Sequence, residues 1–467
     1  MALKVCLIVD NPLRDLDGLV LVAWQLAQRG ADVWLVPMYE QGFDIFSIHP
    51  DWVIANYVRP NNLDLLRLYR RAGMRVCVLD TEGAGGKTAQ EFAGMVGQSG
   101  GATLCDLYCV WGAGQFAALV DDGRVPPKAL RLTGCPRYDY CAQPWLNALP
   151  STSVAPGFVL VNTNFPVVNP RFSSGADGEK RSMLQAGFTV EFADAYIRDA
   201  RIALDGVIAM LGQLLDRFPE QRFVLRPHPF ENVDVYKSLT VKPNFLLRQE
   251  GTSIQWLKHC ALLLHLNCST AVEAVMLGRE AISMAWLDTP ALSVPAPTQV
   301  SWHATSVDEL AAMLEQTFAD GRPRPDKQVV MRRNQIISDV YHSIDGHCAD
   351  RVADALVQYD GGGTAKLETA SPSLRGRAVH WSRQLLGYRN AGWLRRWISD
   401  SSVEKRRIAK QFTLPDVNAT LVRLTAVTPQ ATGVGASQHV ATSIDGIKRS
   451  SGTAIRIARI DHRSGPP

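Results

Sequence analysis

Phe223-Val-Leu-Arg226-Pro227-His228-Pro229-Phe230 runs an apolar strand pattern straight into a histidine set between two prolines. Each proline fixes its own φ and biases the residue before it toward an extended shape, so the imidazole is held rigidly where the strand ends. A donor to a phosphate oxygen, or a general acid to a leaving group, needs that rigidity. Arg226 adds a fixed cation beside it. A second strand-like run, residues 262–266, leads into Asn267-Cys-Ser269-Thr270-Ala-Val-Glu273. Hydroxyl residues at the start of a helix offer donors to a phosphate, and Glu273, one turn in, is placed for ribose hydroxyls. The same pattern also serves as an ordinary N-cap. Nucleotide binding is therefore expected at Arg226, His228, Asn267, Ser269, Thr270 and Glu273, with Asn162 and Asn164 either lining the site or making a turn.

The N-terminal half carries carboxylates instead. Asp10 and Asn11 follow the first strand-like run, Arg14 and Asp15 come one turn later, and Glu82 follows Leu79-Asp80 in a glycine-rich stretch with Gly83, Gly85 and Gly86. Activating an acceptor hydroxyl takes a carboxylate base or nucleophile. With His228, the catalytic candidates are Asp10, Asp15 and Glu82, each of which could equally be a cap or an ion-pair partner. The stretch lacks the spacing of a phosphate-binding Walker loop. His265 sits inside an apolar run and reads as a core histidine.

These residues need elements to hold them. Residues 1–145 alternate strand-like runs (4–9, 32–37, 52–56, 75–79, 107–111 and 130–133) with helical spacing, and residues 155–360 repeat the alternation (158–161, 222–226, 261–266 and 281–284). Strands alternating with helices imply parallel, doubly wound sheets. The expected fold is α/β: two Rossmann-like domains facing a cleft, joined through the proline-rich stretch 141–157. Ligands in such sheets lie beyond the carboxyl ends of the strands. Residues 328–359 read as helical throughout.

The pairing of a His-Pro element with a Ser/Thr-headed helix resembles the donor domain of glycosyltransferase-B-fold enzymes that use cytidine nucleotides: bacterial sialyltransferases, Kdo transferases and teichoic-acid polyol-phosphate polymerases. In that resemblance His228, Ser269 and Thr270 contact the donor phosphates. Asp10-Asn11-Pro12-Leu13-Arg14-Asp15-Leu16, Leu79-Asp80-Thr81-Glu82-Gly83 and Gly134-Cys-Pro136-Arg137-Tyr138-Asp139 are similar to a group of bacterial surface-carbohydrate biosynthesis proteins, over roughly residues 3–360. The resemblance implies transfer of a sugar, with Kdo or a related acidic sugar as the best choice, from a CMP-activated donor to a glycan or lipid-linked glycan. It implies no cofactor and no metal. A CDP-polyol phosphotransferase, a nucleotide-sugar 2-epimerase and a catalytically silent assembly scaffold are the alternatives.

Composition bounds the rest. The 467 residues are 46% hydrophobic and carry a net charge of +4. Residues 361–467 hold 17 Lys and Arg against 6 Asp and Glu, whereas residues 1–360 hold 32 against 39. A basic tail invites an anionic partner. Residues 374–398 place Leu374, Ala378, Trp381, Leu385 and Tyr388 at helical spacing among arginines, the pattern of a helix lying on an anionic bilayer. Residues 428–467, rich in Ser, Thr, Gly and Ala, are expected to be poorly ordered. No aromatic-basic recognition module points to nucleic acid. Nine cysteines without metal-ligand spacing read as reduced thiols, and the N-terminus lacks the pattern of a signal peptide. The expected location is the cytoplasm, with peripheral contact on the inner face of the cytoplasmic membrane.

Overall fold

The computed structural model describes residues 2–83, 88–98, 100–172, 176–185, 188–320, 325–360, 373–374, 376–378, 380–382, 401–428, 438–443 and 454–460. The chain divides into two units, residues 1–149 with 337–467, and residues 150–336.

The first unit is built on a sheet of β1 (Lys4–Val9), β2 (Asp32–Pro37), β3 (Trp52–Ala55), β4 (Arg75–Leu79), β5 (Leu107–Val110) and β6 (Leu130–Leu132). These six strands pair in parallel in the order β2-β1-β3-β4-β5-β6. Their apolar runs are buried on both faces, as a helix-covered parallel sheet requires. The order reverses between β1 and β3, and such a switch point opens a crevice at the strands' carboxyl ends. Asp10 and Asn11 stand at the end of β1. Asn11 accepts from the Leu13 amide and caps the helix Pro12–Gln28.

The second unit holds β7 (Val159–Asn162), β8 (Phe223–Arg226), β9 (Phe245–Leu247), β10 (Leu262–His265), β11 (Glu280–Met284) and β12 (Trp302–Ala304). All pair in parallel in the order β9-β8-β7-β10-β11-β12, the order of a dinucleotide-binding fold. The switch point falls between β7 and β10. The ladder register lays a polar row across the sheet just before its carboxyl end: Arg226 opposite Asn162, Asn162 opposite His265, His265 opposite Ser283 and Ser283 opposite His303. Glu280 and Arg333 form a buried bidentate pair at 3.1 and 2.8 Å, with Trp302 Nε1 donating to the same carboxylate. The α/β fold with two Rossmann-like units is as the sequence indicates.

Three expectations need correction. The helical stretch 328–359 breaks into Lys327–Tyr341 and Cys348–Val357. His342 and Gly346 take positive φ between them, and the buried Asp139 carboxylate accepts the Cys348 and Ala349 amides at the second helix's start. Burial pushes the Asp139 carboxyl up to about 6, against those two bonds. The proline-rich stretch 141–157 is not one linker: Trp145 packs edge-on against Trp24 and donates to the Gly346 carbonyl, so residues as far as Leu149 belong to the first unit.

The third correction concerns the tail, which is not an appendage to the two units. Leu414–Val427 packs its Val417, Leu421 and Leu424 face inward, and Thr420 and Arg423 bond Asp17 on the first helix. Within the stretch expected to lack order, β13 (Gln438–Ser443) and β14 (Ile455–Ile460) form a hairpin. β14 adds antiparallel to the edge of β2, with Ile455 and Ile457 buried and Arg456 bonded to Asp32 at 2.7 Å. Most of the membrane-binding segment proposed at 374–398 lies outside the described residues. No helix among the described residues is long and apolar enough to cross a membrane. All nine cysteines are free thiols, eight of them buried.

Candidate functional site: a histidine loop and an arginine-held carboxylate cluster

In the second unit β8 delivers Arg226 to the sheet's edge and the chain turns through Pro227, His228 and Pro229. The His228 backbone amide donates to Glu231 Oε1 at 3.0 Å. Its ring Nδ1 accepts from the Phe230 amide at 3.2 Å. A ring nitrogen that accepts cannot carry the proton, so the neutral ring keeps its N–H on Nε2. Both the loop and the tautomer are thereby set.

Glu231 is the residue sequence reasoning missed. It is fully buried and takes Thr163 Oγ1, the Phe165 amide, the His228 amide and Tyr236 Oη on its two oxygens, at 2.7 to 3.1 Å. It ties the loop after β7 to the loop after β8. Burial raises its carboxyl above the usual range in spite of those donors. Its signal in the sequence was faint: one glutamate beside an aromatic residue, three positions after the histidine.

Across the switch point, Asn162 Nδ2 donates to Thr270 Oγ1 at 3.0 Å, joining β7 to the helix Thr270–Met276. Asn162 is buried and its Oδ1 has no partner. Ser269 is exposed and its side chain makes no capping bond, although it stands at the cap position. Three of the six nucleotide-binding candidates lie past strand ends: Ser269 and Thr270 past β10, and His228 past β8, two strands away.

The other three have partners of a different kind. Arg226 Nη2 donates to the Glu250 and Gly251 carbonyls at 3.1 and 2.8 Å, and its guanidinium lies 5.6 Å from the Trp256 ring centroid. Burial brings its pKa down to about 10, against the pull of Glu250 and Glu273. Arg226 thus braces the 250–251 turn rather than standing as a solvated cation. Asn267 donates to the Leu292 carbonyl. Glu273 is buried and accepts Ser253 Oγ at 2.5 Å. His265 is a core histidine: its Nε2 meets Ser301 Oγ at 2.8 Å, and Ser301 itself donates to the Pro297 carbonyl. The ring therefore donates, and its Nδ1 is left without a partner. Burial lowers its pKa to about 3.

In the first unit the structure brings Asp10, Asp15 and Glu82 together around Arg14. Arg14 bonds Asp10 at 3.0 Å, Asp15 at 2.8 and 3.0 Å, and reaches Glu82 at 3.5 Å. Asp15 also takes the Asn11 amide at 3.1 Å and approaches Arg137 at 3.5 Å. Both of its oxygens are engaged and it is buried, so it positions the arginines and is not placed as a base. Gly18 lets the helix approach that closely, since a Cβ there would lie 2.8 Å from the Arg137 nitrogen. Glu82 is bonded to Arg59 at 2.7 Å with about half of its side chain exposed. Partial burial would raise its pKa, but Arg59 and Arg14 outweigh this and hold it low, so it stays ionised. Asp10 pairs with Lys410, which arrives from the C-terminal segment. Gly83 packs on Trp111, whose Nε1 donates to the Asp80 carbonyl at 2.8 Å. Gly85 and Gly86 lie outside the described residues.

Among the described residues, Asp139, Asp345 and Cys348 are close enough together to share an ion. Asp139 is already bonded to two amides and Asp345 to both guanidinium nitrogens of Arg351, at 2.9 and 3.1 Å. The cluster is accounted for as a helix cap.

No family model and no curated protein matches the sequence. Among solved structures, the chain is similar to the S. aureus MnaA–UDP co-structure, with a TM-score of 0.49 and 12% identity over 79% of this chain and 99% of that one. It is similar to the Methanocaldococcus jannaschii UDP-GlcNAc 2-epimerase in complex with UDP-GlcNAc and UDP, with a TM-score of 0.48 and 11% identity over 76% and 100%. It is also similar to the wall teichoic acid polymerase TagF soaked with CDPG, with a TM-score of 0.46 and 10% identity over 76% and 88%.

Proposed function

We propose that the protein is a nucleotide-sugar-dependent glycosyltransferase of bacterial surface-polysaccharide biosynthesis. The observation that carries this reading is His228: a ring fixed at a strand's carboxyl end, beside the sheet's switch point, with its proton held on Nε2. Nε2–H would donate to an oxygen of the donor's leaving phosphate, and the Ser269 and Thr270 hydroxyls would take neighbouring oxygens. Fixed donors aimed at developing phosphate charge are the usual means of speeding such a departure. Glu82, kept ionised beside Arg59 and Arg14, would accept the acceptor hydroxyl's proton, with Asp10, paired to Arg14 and Lys410, as the second candidate. The finer choice is a CMP-activated acidic sugar of the Kdo type, on the resemblance of the His-Pro and Ser-Thr elements. The acceptor would be a glycan or lipid-linked glycan. The exposed Leu374 and Trp381 belong to the basic segment that would meet an anionic bilayer.

Calorimetry with CMP, CDP and UDP tests the reading. CMP is expected to bind best to the wild type, and His228→Ala to weaken it at least tenfold without changing the circular dichroism spectrum. CDP preference would favour polyol-phosphate transfer, and UDP preference the epimerase. Equal binding by wild type and His228→Ala removes His228 from the site.

A further inference from the structure

The switch point of the first sheet has a cavity beside it. A volume of about 540 Å³ is lined by Met38 and Tyr39, just past β2, and by Tyr57, Pro60 and Asn61, just past β3, with Gln41, Leu65, Leu68, Asp64 and His380 among the rest of its wall. This is where a doubly wound sheet holds ligands, and the volume is that of a small-molecule site. The carboxylates described above border it through shared residues. Lys410, which pairs with Asp10, lies 5.9 Å from the Tyr39 ring centroid. Arg59, bonded to Glu82, lies 4.8 Å from the Tyr57 ring centroid. Asn61 is exposed, and its amide donates to Tyr57 Oη at 3.3 Å.

We infer that this cavity binds a sugar ring of the acceptor. A pyranose presents an apolar C–H face and a rim of hydroxyls. The cavity offers aromatic faces from Tyr39 and Tyr57, an aliphatic floor from Met38, Leu65 and Leu68, and side-chain amides at Gln41 and Asn61. Aromatic side chains supply contact area at little entropic cost, and a few placed polar groups fix orientation. Asp10 and Glu82 are linked to the lining through Lys410 at Tyr39 and Arg59 at Tyr57, so a bound ring would have the carboxylates beyond those two side chains. The C-terminal segment takes part, since Gly376 and His380 line the cavity and Lys410 approaches Tyr39. The assignment of the ring to an acceptor rests on the transferase reading, but the binding does not.

The test uses the full chain and saturation-transfer NMR, with glucose, N-acetylglucosamine and glucuronate as probes. At least one sugar should bind the wild type. Tyr39→Ala and Asn61→Ala should each weaken that binding tenfold or more, and Tyr39→Phe, which keeps the ring, should retain it. His228→Ala should bind the sugar as the wild type does, and Tyr39→Ala should bind CMP as the wild type does. No saturation transfer from the wild type to any of the three sugars, or undiminished transfer from both alanine variants, overturns the inference. If sugar binds as described but no nucleotide binds, the donor assignment fails and the sugar site stands.

Discussion

Glu231→Ala should release the histidine loop. The substitution removes the acceptor for four donors: the amides of Phe165 and His228 and the hydroxyls of Thr163 and Tyr236. The hydroxyls can turn to other partners, but the amides cannot. At about 1–3 kcal/mol for each buried donor left unpaired, two amides amount to about 4 kcal/mol. At about 1.4 kcal/mol per factor of ten, exchange at Phe165 and His228 should rise roughly a thousandfold. Glu231→Gln keeps an oxygen toward the amides and presents an NH₂ to hydroxyls that can accept, so its cost should be about 1 kcal/mol. Hydrogen exchange followed by mass spectrometry on peptides covering 159–169 and 223–236 reads this locally, without requiring the whole chain to unfold in one step. The wild type should also show a pH signature. Its raised carboxyl makes a stabilising contribution that is full below the ordinary glutamate value of 4.5 and lost as pH rises through the higher folded value. The glutamine variant should lose that dependence. Unchanged protection in Glu231→Ala, or equal damage from alanine and glutamine, would refute the reasoning.

His265 makes the opposite prediction for acid. Its folded pKa of about 3 lies below the unfolded value of 6.5, so only the unfolded chain takes up the proton between them. The second unit should keep full stability above pH 6.5 and lose about 1.4 kcal/mol per pH unit below it, toward pH 3. The imidazole NMR shifts of His265 should stay those of the neutral ring throughout that range, and titration near 6.5 in the folded protein would contradict the burial argument. Truncation after residue 400 should cost the first unit its solubility. It strips Lys410 from Asp10, Arg423 from Asp17 and Arg407 from the buried Glu40, and it bares the β2 edge. Gel filtration should find aggregate, and a well-behaved monomer would mean that the segment is dispensable.

The strands were legible because their signals are local. Residues 4–9, 107–110 and 262–265 are short apolar runs, and runs of that length between turn residues are what buried parallel strands look like. The sheet orders were not legible. Nothing in the sequence says that β1 lies between β2 and β3, or that β7 meets β10, and those two adjacencies place both candidate sites. His228 announced itself through its prolines. Glu231 did not, because its role comes from being buried among four donors, two of them from a loop over sixty residues earlier. The sequence leaves Asp15 open between base and ion-pair partner: Arg14 and the Asn11 amide engage it locally, while Arg137, which also approaches it, is more than 120 residues away. The alternation Ile455-Arg-Ile-Ala-Arg-Ile was a readable half-buried strand, but the Ser, Thr and Gly around it set the expectation of disorder.

The β14–β2 pairing joins residues some 420 positions apart, with the whole second unit between them. During synthesis, residues 150–336 are all available well before 455 leaves the ribosome. The second unit can therefore complete its core first, while the first waits with an unpaired strand edge and the apolar face of its first helix uncovered. Slow translation late in the chain would prolong that exposure. The nascent protein should therefore engage chaperones through its N-terminal third, the part made earliest and finished last.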